Sequence, residues 1–296
     1  MSKYRSVQRE YKDRLFKYLF GSPARKELTL NLYNTVNGSH YTDPNALEFT
    51  TIEDVVYMGM KNDVSFLIDG SMCFIEEQST PNPNMPARFF SYSGMAYSRR
   101  IKMDSGFDLY SLELQPLPDP IFICLCAAPS MKEERSVLRL SDAFGPNSRG
   151  KLELVVDVIN INYGRNQEFL DSCPALKDYS WFISRFRYHL KNGKSPEEAA
   201  DAAIVEMADD SVIKPLLLAN QAEVRRMCIL EYDEEKTLNG RLETGIRIGR
   251  EEGRAEERAK MFKMLDGFVT DGLVPIKEAA KRAGVSVAEF RRLTGR

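Results

Sequence analysis

The sequence has few of the residues on which metal centres and disulfide frameworks are usually built. It contains two histidines, one tryptophan and five cysteines among 296 residues. His40 and His189 are far apart in the sequence, which argues against a histidine-rich zinc site. The odd number of cysteines shows neither paired metal-ligand spacing nor the density of a disulfide framework. Free, buried thiols in a reducing compartment are the simplest interpretation, so we expect a cytoplasmic protein.

Long apolar runs and a strong charge imbalance are also missing. The longest apolar run, residues 121–128, is far shorter than the roughly 20 residues of a membrane-spanning helix. The N-terminus is polar and basic and does not resemble a signal peptide. The formal net charge is −2. Such a chain is not expected to adhere to nucleic acid over its whole surface, so any contact with DNA must depend on local basic patches.

Residues 63–78 have the pattern of a β-hairpin. Apolar side chains recur at every second position along residues 64–68 and again along residues 73–75, which is the period of a half-buried strand. Between these runs, Asp69 and Gly70 form a favoured two-residue turn, because both central positions need a positive φ. The sequence therefore predicts two antiparallel strands joined by a two-residue loop.

This hairpin brings acidic side chains together. Counting outward from the turn places Asp63 directly opposite Glu76 on one face, with Cβ atoms roughly 4.5–5.5 Å apart. Gln78 points in the same direction, whereas Glu77 points to the other face. Two facing carboxylates repel each other unless a cation lies between them, and a hard, oxygen-binding ion such as Mg²⁺ suits the pair. Solvated acids on an ordinary hairpin are the alternative interpretation.

The segment at residues 61–92, KNDVSFLIDGSMCFIEEQSTPNPNMPARFFSY, resembles the recombination-promoting nuclease/putative transposase (Rpn) family of the PD-(D/E)XK nuclease superfamily. The resemblance includes YKDRLFKYLFGSPARKELTLNLYNTVNG, LRLSDAF and VININ, and extends from about Tyr11 to about residue 230. Its most specific part is the run QST-x-NPNMP. The resemblance implies an α/β, restriction-endonuclease-like fold, with a mixed sheet flanked by helices. It also implies metal-dependent cleavage of DNA, linked to recombination or mobile DNA.

The resemblance also implies roles for individual residues. In the superfamily, an Asp on one strand and a Glu on the next hold Mg²⁺, and a Lys two positions later helps to position the attacking water. The matching positions here are Asp63, Glu76 and Gln78. Asp13 matches the acid of the first helix that often completes such sites; a helix-start residue favoured by the dipole is the alternative. The expected cofactor is therefore Mg²⁺, or Mn²⁺ in its place. Gln78 departs from the superfamily pattern, because an amide can orient water but supplies no positive charge.

Helix and strand signals surround the hairpin. We predict helices over residues 7–37 with a break near Gly21, over residues 84–102 with Asn84 as cap, and over most of residues 173–230 with Ser195 as one start. We predict strands within residues 51–58, at residues 121–126 and at residues 152–159. This order of elements favours a mixed sheet with flanking helices.

Basic side chains indicate two candidate surfaces for nucleic acid. Arg88, Arg99 and Arg100 lie with tyrosines on the helix after the hairpin, where they could contact phosphates; solvated arginines are the alternative. From residue 258 onward the chain has nine Lys or Arg and four Asp or Glu. Arg291 and Arg292 lie there, on the last helix of a segment with the pattern of a helix-turn-helix. Such helix pairs also mediate oligomerisation or docking, so a homo-oligomer stays an open alternative.

These segments predict four regions. They are a nuclease-like core at residues 1–170, a helical extension at 171–233, a charged, glycine-containing helical linker at 234–257 and a basic helix-turn-helix-like tail at 258–296. In the linker, Gly245, Gly249 and Gly253 fall on one face, where another helix could approach; a solvated helix with i,i+4 ion pairs is the alternative. We therefore expect a DNA endonuclease, with a catalytically inactive DNA-binding or interaction protein as the alternative.

Overall fold

The computed structural model describes residues 15–50, 63–145 and 151–295. Contacts divide the chain into two units, Met1–Glu235 and Lys236–Arg296. The first unit is built on a mixed β-sheet with flanking helices, which confirms the predicted α/β class. The predicted strand at residues 51–58 and the candidate ligand Asp13 lie outside the described residues. Within the described ranges, no helix is long and apolar enough to cross a membrane.

Two short helices precede the sheet. α1 spans Leu15–Phe20 and α2 spans Lys26–Asn37, with a 3-10 turn at Pro23–Arg25 between them. The Ser22 hydroxyl caps this turn by accepting a hydrogen bond from the backbone N–H two residues later, at 3.3 Å. Gly38 ends α2 with a φ of 64°, which glycine adopts without steric cost. The predicted break between these helices and the predicted end of the second one are both confirmed.

The sheet has the strand order β1-β2-β3-β4-β6-β5. Its strands are β1 Glu48–Phe49, β2 Val64–Ile68, β3 Ser71–Gln78, β4 Asp119–Cys126, β5 Arg135–Arg139 and β6 Val155–Asn160. β3, β4 and β6 run parallel, whereas β1–β2, β2–β3 and β5–β6 pair antiparallel. The sequence pattern does not predict β5, because this mostly exposed edge strand has no apolar alternation.

The hairpin has the predicted turn and register. Ile68 pairs with Ser71 and Val64 pairs with Ile75, around a turn in which Asp69 has a φ of 46° and Gly70 a φ of 75°. One expectation is wrong: β3 is not half-buried, because it is covered on both faces along nearly its whole length. Polar side chains at the end of β3 therefore lie in a buried environment.

Two hydrophobic clusters cover the two faces of the sheet. On β3, odd-numbered residues such as Cys73 and Ile75 belong to the cluster that includes α1, α2 and the helices after β6. Even-numbered residues such as Phe74 belong to the cluster that includes α3, which spans Met85–Met103. By the same alternation, the later even-numbered positions of β3 face α3.

The remaining helices of the first unit lie between β6 and the long helix α8. They are α4 Gln167–Asp171, α5 Pro174–Lys191, α6 Pro196–Glu206 and α7 Lys214–Ala219. α6 begins with a reciprocal capping box between Ser195 and Glu198, as predicted. Asn84 occupies the N-cap position of α3, but its side chain makes no capping hydrogen bond, so the predicted side-chain cap is wrong.

The five cysteines are all free and buried. Burial raises the pKa of the Cys173 thiol to about 11, and it also raises the pKa of Cys73. These thiols are therefore protonated at neutral pH and belong to the hydrophobic core. This confirms the predicted free, buried thiols.

The second unit contains most of α8, from residue 236 onward, and two further helices. α8 spans Gln221–Thr270, α9 spans Ile276–Arg282 and α10 spans Val287–Thr294. Its buried core consists of Phe262, Leu265, Ala279, Ala280 and Phe290. Leu293, on α10, is 46% exposed and does not belong to this core, to which the end of α8 contributes Phe262 and Leu265.

The glycine-containing part of α8 is exposed. A Cβ atom placed on Gly245, Gly249 or Gly253 would meet nothing within 4 Å, so no described residue packs closely against this face. Arg247 and Glu251 form an i,i+4 ion pair at 3.1 Å. In the described part of the chain this segment is a solvated helix with ion pairs, which was the alternative interpretation.

Candidate functional site

Glu76 lies in a buried polar cluster at the C-terminal end of β3. Its side chain is 1% exposed and faces α3. A carboxylate removed from water in this way needs a compensating charge. Arg88 supplies it, since its Nη2 lies 2.9 Å from Glu76 Oε2.

Arg88 connects the first turn of α3 to the end of β3. Its Nε and Nη2 donate to the Tyr92 hydroxyl at 3.3 and 3.1 Å, and its Nη1 lies 3.4 Å from Gln78 Oε1. Tyr92 follows one helical turn later and therefore lies on the same side of α3. Burial opposes the charge on Arg88, but Glu76 and Tyr92 outweigh it, so the pKa of the guanidinium is raised.

Tyr92 completes the contacts around this ion pair. It is 1% exposed, and its side chain is hydrogen-bonded to Glu76 as well as to Arg88. Burial, followed by the charge of Glu76, raises the pKa of this phenol. The hydroxyl is therefore protonated at neutral pH, and it can accept from the guanidinium while donating to the carboxylate.

Gln78 is part of the cluster and is 8% exposed. Its Nε2 donates to the Glu77 carbonyl at 3.0 Å and lies 3.3 Å from Glu76 Oε2. Its Oε1 accepts from Arg88. These contacts fix the orientation of the amide: its oxygen points to the guanidinium and its nitrogen to the carboxylate. Gln78 itself supplies no positive charge, so the charge in contact with Glu76 is that of Arg88.

Asp63 directly precedes β2. Extending the register outward from the Val64–Ile75 pair brings Asp63 beside Glu76, as predicted. The Asp63 carboxylate accepts the backbone N–H of Glu77 at 2.9 Å, so it continues the hydrogen-bond ladder beyond the last strand residue. Its charge also contributes to the raised pKa of Arg88.

The other candidate residues lie elsewhere. Arg99 is about 16 Å along the axis of α3 from Arg88, and Arg99 and Arg100 are exposed. Near them, the Tyr97 hydroxyl donates to the Pro118 carbonyl just before β4, at 2.6 Å. Because β3 and β4 are parallel, the start of β4 lies beside the start of β3. This end of α3 therefore lies near the N-terminal ends of these strands, whereas Glu76 lies near the C-terminal end of β3. Arg291 and Arg292 are exposed on α10 of the second unit.

The donor atoms of Asp63, Glu76 and Gln78 suit Mg²⁺ in type and number. In residues 15–50, 63–145 and 151–295, no group of three or more His, Cys, Asp or Glu side chains is arranged to hold a metal ion. Mg²⁺ is usually bound by one or two carboxylates and keeps several water ligands. Asp63 and Glu76, with the Gln78 amide next to them, are consistent with such a set.

The sequence pattern does not predict the contacts among Arg88, Tyr92 and Glu76. The signal that could have found them is an acid on a strand covered on both faces, followed by an Arg and a Tyr one helical turn apart. Comparisons of the chain with models of protein families, with curated proteins and with solved structures found no match. The functional interpretation therefore depends on the geometry of this cluster and on the motif resemblance.

Proposed function

We propose that the protein is a metal-dependent DNA endonuclease that hydrolyses phosphodiester bonds. The observation that carries this proposal is the buried carboxylate of Glu76 at the end of β3, with Asp63 beside it on the neighbouring chain segment and Arg88 in contact. The order of helix, hairpin, helix and strand agrees with the restriction-endonuclease-like core that the Rpn resemblance implies. The same resemblance supports a role in recombination or in mobile DNA.

Each residue of the cluster has a distinct role in this proposal. Asp63 and Glu76 hold Mg²⁺ or Mn²⁺, with Asp13 as the third acid that the resemblance implies. A divalent ion in such a site lowers the pKa of a bound water and stabilises negative charge on a phosphate oxygen. Gln78 orients the water or the phosphate through its amide. Arg88 offsets the negative charge that the phosphate and the two acids bring together.

A plasmid assay tests this activity. The wild-type protein should nick supercoiled DNA in the presence of Mg²⁺, whereas Asp63→Ala and Glu76→Gln should abolish nicking, because each removes a carboxylate ligand. Glu113→Gln is the matched control, since Glu113 lies in an exposed loop away from the cluster. Equal nicking by the wild type and Asp63→Ala would contradict the proposed mechanism.

The second unit contributes DNA binding in this proposal. Its residues from 258 onward have nine basic and four acidic side chains, a net charge of 9 − 4 = +5. Arg291 and Arg292 are exposed on the short helix α10. A helix-turn-helix places such side chains against the phosphates that border a groove. Arg99 and Arg100 are candidates for additional phosphate contacts.

The salt dependence of DNA affinity tests this role. Replacing both Arg291 and Arg292 by Ala should weaken binding and reduce the slope of log K against log salt by about 2. Replacing Arg247 and Arg250 of the exposed linker helix by Ala is the matched control. If the two double variants change the slope equally, α10 has no special role in phosphate contact.

One observation favours the alternative, a catalytically inactive protein that binds DNA or another partner. The charge of Glu76 is already compensated by Arg88, so the cluster is stable as an ion pair without a metal. Thermal unfolding with Mn²⁺ separates the two functions. A nuclease should be stabilised by Mn²⁺, and Glu76→Gln should remove this stabilisation. A protein that has lost the metal site should show no such shift.

A further inference from the structure

Arg88 contacts both polar side chains at the end of the hairpin, Glu76 and Gln78. It lies 2.9 Å from Glu76 Oε2 and 3.4 Å from Gln78 Oε1. Glu76 Oε2 also lies 3.3 Å from the Gln78 amide nitrogen. A divalent cation that used Glu76 Oε2 would have to share this oxygen with a guanidinium or displace it.

We infer that Arg88 is an exchangeable cation of this site: it neutralises Glu76 in the free protein and moves to a phosphate of the nucleic acid when Glu76 binds a divalent metal. This inference rests on the proposed function and assigns Arg88 a role in regulating the same site.

Charge repulsion makes the two cations compete for Glu76. Two positive charges within a few ångströms of each other repel, and the repulsion is stronger in a partly buried environment than in water. Mg²⁺ or Mn²⁺ bound to Glu76 therefore weakens the contact between Glu76 and Arg88. In the same way, Arg88 in contact with Glu76 lowers the affinity of the site for the metal. Either cation compensates the charge of the buried Glu76 carboxylate.

The position of Arg88 allows such an exchange. Its side chain is 24% exposed, whereas that of Glu76 is 1% exposed, so part of the Arg88 side chain reaches solvent at the border of the cluster. The planar guanidinium matches a phosphate as well as it matches a carboxylate. Arg88 can thus leave Glu76 for a phosphate at the surface without a rearrangement of the strand.

Tyr92 serves as a positioning residue for Arg88. Its hydroxyl receives two N–H groups of the guanidinium, at 3.1 and 3.3 Å. Tyr92 itself is 1% exposed and is packed in the hydrophobic cluster between α3 and the sheet. The phenol therefore provides a fixed acceptor near which the guanidinium stays while its other contacts change.

The exchange couples metal binding to nucleic-acid binding. A phosphate that attracts Arg88 raises the affinity of Glu76 for the metal, and by linkage the metal raises the affinity for the phosphate. The divalent cation is then held most tightly when the substrate is present. A free protein with Arg88 on Glu76 has a weaker metal site.

Calorimetric titration with Mn²⁺ alone, without DNA, tests the inference. Arg88→Ala should bind Mn²⁺ at least about tenfold more tightly than the wild type, because a competing unit charge is removed. The same variant should nick plasmid DNA at least about tenfold more slowly, because a charge-assisted phosphate contact is lost. Arg250→Ala, at an exposed arginine of the linker helix, is the matched control and should change neither quantity.

A second variant keeps the test decisive if Arg88→Ala does not fold. Arg88→Lys retains the charge but cannot donate to Glu76, Gln78 and Tyr92 together. Its affinity for Mn²⁺ should therefore also exceed that of the wild type, but by a smaller factor than that of Arg88→Ala. A purely structural role of Arg88 predicts the opposite, a variant that binds Mn²⁺ more weakly than the wild type.

The outcomes separate this inference from the proposed function. If the wild type binds Mn²⁺ and neither variant binds it more tightly, the inference is wrong and the proposed function stands. If only the variants bind Mn²⁺, the inference is supported and Arg88 blocks the site in the free protein. If none of the proteins binds Mn²⁺, both the inference and the metal-dependent function are wrong.

Discussion

The two ends of helix α3 carry the same residue type in opposite surroundings. At its start, Arg88 contacts a carboxylate that is 1% exposed and a phenol that is equally buried. At its end, Arg99 and Arg100 are exposed. The difference shows that the presence of an Arg on the helix does not identify a functional side chain. What distinguishes Arg88 is the buried acid that it neutralises.

The largest effect should come from breaking the buried ion pair. Arg88→Met removes the charge and keeps most of the side-chain length, so Glu76 is left buried without this cation. We expect a loss of about 3 kcal/mol in the free energy of unfolding in metal-free buffer. Arg100→Met, at the exposed end, should change it by less than about 0.5 kcal/mol. Urea unfolding measures both values, and similar losses in the two variants would show that the two ends do not differ.

A double-mutant cycle should give the next largest effect. Replacing both partners, Glu76→Gln with Arg88→Met, removes both charges of the pair, so the double variant should recover part of the stability that each single variant loses. We expect a coupling free energy of about 2 kcal/mol. The exposed pair of Glu223 and Arg226, at 3.1 Å, is the matched control for the same substitutions. Its coupling should be below about 0.5 kcal/mol, and equal couplings would contradict the assigned burial of the first pair.

The hairpin could be predicted from the sequence because its turn determines its register. With Asp69 and Gly70 as the two-residue loop, the partner of every residue follows by counting. The structure has this register, so Asp63 lies beside Glu76. The strand at β4 is equally clear, because its unbroken apolar run matches a strand covered on both faces. These features depend on local patterns alone.

The role of Arg88 could not be predicted in the same way. Helical spacing places Arg88 and Tyr92 on one face of α3, but it does not say whether that face meets the sheet or solvent. Contacts between α3 and β3 decide this, and they depend on the packing of Phe74 and Phe89 in the shared cluster. Leu293 illustrates the same limit, because an apolar side chain on a helix can still be 46% exposed.

A smaller effect should distinguish the two tyrosines of α3. Tyr92→Phe removes the hydroxyl that receives Arg88, and Tyr97→Phe removes the hydroxyl that donates to the Pro118 carbonyl. Each should lower the free energy of unfolding by about 1 kcal/mol. Only Tyr92→Phe should raise the affinity for Mn²⁺, because it loosens Arg88 from Glu76. Calorimetry with both variants tests this, and an equal change in Mn²⁺ affinity would contradict a positioning role for Tyr92.

The smallest effect should appear at alkaline pH, at the end of α3 away from Glu76. Burial, followed by the charge of Asp119, raises the pKa of Tyr97 to about 12. The unfolded chain ionises its tyrosines near pH 10, so the contribution of Tyr97 to stability is complete below about pH 10 and is lost as the pH rises towards 12.

Unfolding in urea at about pH 9 and about pH 11 tests this contribution. Tyr97→Phe should lose less stability than the wild type between these two pH values, because it lacks the phenol that the folded state keeps protonated. Tyr110→Phe, at a side chain that is 93% exposed, is the matched control. A wild type and a Tyr97→Phe variant with the same pH dependence would show that the burial and the nearby charge of Asp119 do not raise the pKa of Tyr97 in solution.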